Sequence, residues 1–168
     1  MSSAVAAAPS DQAELSVFVS HLVRRSQQRA VDLYTRSVGA DGLTHQQFIL
    51  LLAADQNPGT TQTRLVQITG IDRSTLTDMI GRLSARGLLK RKTATRDKRA
   101  NEVSITPKGR KALQGAMPAA VAADRAFIEE LPAGKRAAFV EALRILSAAE
   151  EEAVEEAAPR QRRRAQSA

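Results

Sequence analysis

The chain has 168 residues, 43% of them hydrophobic, which suits one domain with a real core, or one domain plus an oligomerisation arm, and does not fit two large domains. Its formal net charge of +7 is unevenly spread: residues 64–111 carry 13 basic and 4 acidic groups, between a near-neutral 1–63 and an acidic 112–159. The absence of cysteine excludes disulfides, thiolate catalysis, zinc fingers and thiol-based redox sensing.

In chain order, Met1 to Pro9 lacks the basic region of a signal peptide, and no later run approaches the roughly 20 uncharged apolar residues of a membrane span. A cytoplasmic protein without a membrane partner is expected. Leu15, Phe18, Val19, Leu22 and Val23, continued by Val31, Tyr34 and Val38, recur at helical spacing and predict one long amphipathic helix ending at Gly39 and Asp41-Gly42. Thr44 and Gln47 form a capping box, with Leu43 and Phe48 at the staple positions, so a second helix starts there. Asn57-Pro58-Gly59 stops it, and Thr60 or Thr61 caps a short third helix that ends at Gly70.

Asp72 caps a fourth helix, in which Leu76, Met79, Ile80 and Leu83 form one buried stripe. At about 100° per residue, Ser74, Asp78, Gly81 and Ala85 face away from that stripe, flanked by Thr77 and Arg82. Gly81 is either merely tolerated in mid-helix or serves a close approach by another surface. Leu88 to Lys92 and Val103 to Ile105 read as two strands around a charged loop, a small β-hairpin wing. Thr106 then caps a fifth helix with Pro107 at its first position, and Pro118 should kink it. After Leu131-Pro132 a sixth helix carries Phe139, Val140, Leu143 and Leu146 into the acidic run Glu150 to Glu156.

A short helix, a tight turn and a helix with small polar groups outward suit the major groove of double-stranded DNA, and the basic middle third supplies the phosphate attraction. Arg73 and Arg82 reach guanine edges or phosphates, Ser74, Thr75 and Thr77 bond to either, and Thr61, Thr63 and Arg91 join the set from the third helix and the first wing strand. Arg96, Asp97, Lys98 and Arg99 put three cations on a loop tip suited to the narrow minor groove.

Against catalysis, His21 and His45 lie on separate helices without metal-ligand spacing, and no Gly-rich phosphate loop or Ser/His/Asp set appears. No enzyme activity, catalytic residue, metal or cofactor is expected. Aromatic residues (Phe18, Tyr34, Phe48, Phe127, Phe139) are too few for single-strand stacking platforms.

Arg73-Ser74-Thr75-Leu76-Thr77, Arg82-Leu83, Arg86-Gly87-Leu88, Asp97-Lys98-Arg99 and Ile105-Thr106-Pro107-Lys108-Gly109 together resemble the signature of the MarR family of transcriptional regulators, over about residues 15–157. The resemblance implies a mainly α fold with a small wing: a winged helix-turn-helix lobe over 44–106 and a dimerisation arm from helices in 11–40 and 107–157. Residues 1–10 and 158–168 are expected to be disordered. It implies a homodimer on a near-palindromic operator, with half-sites roughly 34 to 36 Å apart, and it gives Arg99 the minor-groove contact. It also implies an effector pocket between arm and lobe for an aromatic acid or its thioester. Phe18, His21, Arg24, Arg25 and Phe48 would offer a mostly apolar site with a cation, although the phenylalanines equally suit a core and the other three a surface. One departure is Asp78, an outward carboxylate where similar proteins often carry a basic or polar residue. It either accepts from a cytosine N4 or pairs with Arg82 one turn on. The rival reading is an architectural DNA-binding protein that senses no ligand, with Arg160 to Arg164 adding phosphate contacts.

Overall fold

The computed structural model describes residue 15 and residues 18–39, 42–93 and 101–157. Its elements run α1 (Val19–Val38), α2 (His45–Gln56), β1 (Thr60–Thr61), α3 (Gln62–Thr69), α4 (Arg73–Ala85), β2 (Leu89–Thr93), β3 (Asn101–Ile105), α5 (Pro107–Glu129) and α6 (Ala133–Ala157). The chain is thus mainly helical with a small antiparallel sheet.

Local chemistry sets most boundaries. Thr44 Oγ1 accepts the Gln47 amide at 3.3 Å while Gln47 Oε1 accepts the Thr44 amide at 3.2 Å, the reciprocal box that starts α2. Its staple residues Leu43 and Phe48 are both buried. Thr61 caps α3, Asp72 caps α4 and Thr106 caps α5, each accepting the amide three residues on. Gly70 leaves α3 at φ 64°, the left-handed conformation that glycine adopts without a Cβ penalty.

α2 forms the centre of the lobe. Phe48, Leu50, Leu51, Ala53 and Ala54 are all buried, so the helix is covered on several sides, by α3, α5 and β3 above all. Leu65, Leu76, Ile80, Leu83 and Val103 complete a core that contains no charged side chain among the described residues, with the Tyr34 hydroxyl buried in it. α1 packs chiefly along α5, and Arg29 Nε donates to Glu130 Oε1 at 2.9 Å where α5 turns into α6.

The elements differ from the sequence reading at several places, the returning wing strand starting at Asn101 and not at Val103 among them. α1 begins at Val19: Phe18 is its extended N-cap and Leu15 lies before the helix, although both share its apolar spacing. The wing has a third strand, for Thr60 and Thr61 pair with Val103 and Glu102, giving the order β1-β3-β2. Two residues are too short to show a strand's alternation. The first hairpin strand begins at Leu89, paired with Ile105, because the Leu88 amide turns back to donate to the Leu83 carbonyl at 2.8 Å. Pro118 lies inside α5, which continues to Glu129.

Candidate nucleic-acid interface

α3, the turn through Gly70 and α4 form a helix-turn-helix whose second member presents its polar face outward. Arg73, Ser74, Thr77, Asp78, Gly81 and Arg82 are exposed, whereas Leu76, Met79, Ile80 and Leu83 are buried beneath them. The first turn is held by Asp72, which accepts from Thr75 N at 2.9 Å and Ser74 Oγ at 2.6 Å. Those bonds, the Ser74 hydroxyl's first, hold the Asp72 carboxyl down at about 2, so it is ionised at any physiological pH. Ser74 Oγ is therefore engaged with its own helix cap in the DNA-free state.

Several other predicted contact residues are drawn into one network. Arg73 Nη2 donates to Thr63 Oγ1 at 3.3 Å, Thr77 Oγ1 donates to the Arg73 carbonyl at 2.7 Å, and Arg91 Nη2 donates to the Thr77 carbonyl at 3.1 Å. Gln62, which the sequence reading passed over, donates its side-chain amide to Thr77 Oγ1. Nothing in a lone glutamine at the start of a helix marks it for such a role. Thr61 is half-buried and engaged as the α3 cap, and Thr75 is half-buried beside Asp72. Asp78 and Arg82 form no ion pair, which removes the intrahelical partner considered above for Arg82. Arg96, Lys98 and Arg99, with Asp97, lie outside the described residues.

A cavity of about 890 Å³ lies between α1 and the lobe. Arg24, Gln28 and Val31 of α1 form one wall, His45 the base of α2, and Asp78 and Arg82 of α4 another. Of the five side chains expected to build an effector site, Arg24 alone lines it. Phe48 is only 6% exposed and packs on Tyr34 with ring centroids 5.7 Å apart, because its staple position turns it into the core. Phe18 sits at the opposite end of α1, roughly 24 Å of helix from Tyr34 at 1.5 Å per residue. His21 and Arg25 do not line the cavity. His45 takes the place that the sequence reading gave to His21. It meets the Tyr34 ring edge-on at 5.2 Å, and burial lowers its pKa against the opposing pull of Asp124.

A short helix, a turn and an exposed polar helix backed by a three-stranded sheet define a winged helix-turn-helix DNA-binding protein. The family model of the MarR family matches residues 41–100. The transcriptional regulator HosA of Escherichia coli O157:H7 is 32% identical over 102 residues, covering 61% of this chain and 76% of HosA. BpsR of Bordetella bronchiseptica, whose DNA binding is regulated by 6-hydroxynicotinic acid, superposes with a TM-score of 0.74 at 32% identity, over 81% of this chain and 97% of BpsR. The repressor CouR, solved on a 23-mer DNA duplex, gives 0.71 at 29% identity, over 83% of this chain and 99% of CouR. The chain belongs to the MarR family of transcriptional regulators, and its fold is the winged helix of that family.

Proposed function

We propose that this protein is a homodimeric, sequence-specific repressor that binds a near-palindromic operator through α4 and releases it when an aromatic acid, or its thioester, occupies the cavity between α1 and α4. The observation that carries the ligand-gated reading is the cavity itself. Its walls belong both to the arm proposed for dimerisation and to the helix proposed for base recognition, so an occupant touches both.

The lining suits an aromatic carboxylate. Arg24 and Arg82 offer cations for a charge-assisted pair, Val31, Leu43 and Met79 offer apolar surface, and the glutamines of α1 and α2 offer orienting amides. The regulation of BpsR by an aromatic acid supports the same ligand class here. For DNA release, the ligand must bind one setting of α4 against α1 more tightly than the setting that fits the operator, since only differential affinity shifts such an equilibrium.

Calorimetric titration of the protein with salicylate and 6-hydroxynicotinate as probes tests this. The expected result is saturable binding of at least one probe, weakened tenfold or more in Arg24→Ala, about 1.4 kcal/mol. Binding unchanged in Arg24→Ala, or no binding of either probe by a protein that still holds its operator, would contradict the ligand-gated reading and leave DNA binding standing.

A further inference from the structure

The geometry points to Arg91 as a positioning residue that fixes the recognition helix to the wing through the backbone of Thr77, so that Arg91 governs sequence discrimination and not phosphate attraction. This rests on the reading that α4 enters the major groove.

Arg91 lies on β2 and its guanidinium Nη2 donates to the Thr77 carbonyl oxygen at 3.1 Å. In an α-helix that oxygen already accepts the amide four residues on, here Gly81. A helical Cβ leans toward the N-terminus, so a side chain at residue 81 would stand over the carbonyl of residue 77. A Cβ built on Gly81 would meet Arg91 Nη2 at 4.0 Å, an ordinary van der Waals contact, so the glycine is tolerated there and the bond from Arg91 does not require it.

The same residue is gripped from the other side. Gln62 at the start of α3 donates to Thr77 Oγ1, and Thr77 Oγ1 donates back to the Arg73 carbonyl at 2.7 Å. α3, α4 and β2 thus meet at Thr77, and the guanidinium of Arg91 is engaged within the protein before DNA arrives. A side chain holding the recognition helix at its pose affects which bases are reached. A side chain touching a phosphate adds the same attraction to every duplex.

The experiment measures binding of wild type and Arg91→Ala to operator-bearing and random duplexes between 50 and 200 mM salt, with amide hydrogen exchange in the DNA-free proteins. The inference predicts that Arg91→Ala lowers the operator-to-random affinity ratio tenfold or more, leaves the salt slope on random duplex unchanged, and speeds exchange over residues 77–81. Equal weakening on both duplexes, with a slope smaller by about 1 and unaltered exchange, would make Arg91 a phosphate contact and overturn the inference. If the wild type showed no operator preference, the groove reading itself would fail, and the exchange arm would decide the brace alone.

Discussion

Gly109 shows how closely two parts of the chain approach one another. It is buried in the first turn of α5, and a Cβ there would overlap the Leu88 carbonyl oxygen and come within 2.8 Å of Ile105 Cγ1. The obstacle is backbone, already holding the Thr106 amide at 3.0 Å, so it cannot yield by a change of rotamer. Gly109→Ala is expected to cost about 1–3 kcal/mol, as overpacking of a dense site does, with Tm falling by about 2–4 °C per kcal/mol in a chain of this size. An unchanged melting curve would contradict the close approach. His45 carries a second prediction. Burial favours its neutral form and sets its folded pKa below the ordinary 6.5. As pH falls through that value the unfolded chain takes up the proton before the folded chain does. Stability should therefore decline from about pH 7 downward and level off below the folded pKa. Urea unfolding at pH 7.5 and 5 should show this decline in the wild type and a smaller one in His45→Gln. Equal declines would mean that His45 does not contribute.

Between elements, the turn after α4 is tied to the start of α5. Lys108 Nζ donates to the Arg86 carbonyl at 2.8 Å, and Thr106 Oγ1 donates to the Gly87 carbonyl at 2.6 Å while accepting the Gly109 amide at 3.0 Å. The last carbonyls of α4 are satisfied within the following turn, where the amides of Arg86, Gly87 and Leu88 donate to Arg82, Ser84 and Leu83, and the turn's own carbonyls at Arg86 and Gly87 are held by the start of α5. Thr106→Val removes the α5 cap and the bond to Gly87 together and should destabilise by about 1–2 kcal/mol. Thr106→Ser should retain most of the stability, and equal losses in the two variants would mean that the hydroxyl's bonds contribute no more than the methyl group. The caps Thr44, Asp72 and Thr106 were legible in the sequence, whereas the bonds from Thr106 and Lys108 back to Gly87 and Arg86 were not, because they join residues about 20 apart in the chain. The exposed polar face of α4 was legible as well, because one apolar stripe on the helix leaves its polar residues no other direction. Other features had no local signal. β1 is two residues long, and Phe48 reads equally as core or ligand wall until α2 is seen to be covered on several sides. The cavity joins Arg24 to Arg82 across separate helices, so no spacing announces it.

At the scale of the whole molecule, one protomer leaves apolar surface at both ends of its helical arm. Phe18, Leu22 and Val23 at the start of α1 and Leu143, Ile145 and Leu146 on α6 are exposed, the last at 66%. Side chains of this kind in such numbers mark an interface, and the proposed homodimer would cover them. Leu146→Glu should shift the protein toward monomer in sedimentation velocity and weaken operator binding in parallel, because each half-site alone is held by one α4. A stable dimer in Leu146→Glu would place the interface elsewhere. In the proposed function, occupancy of the cavity between α1 and α4 controls whether the α4 helices of two protomers fit one operator. Fluorescence anisotropy tests it most directly, with the protein titrated against DNA from upstream of its own gene and against random duplex, with and without a panel of aromatic acids and their thioesters. Preferential binding to the upstream DNA, released by one member of the panel, is the predicted result. Equal binding to both duplexes, unaffected by every compound, would contradict the account and favour a DNA-binding protein that reads only the phosphate backbone.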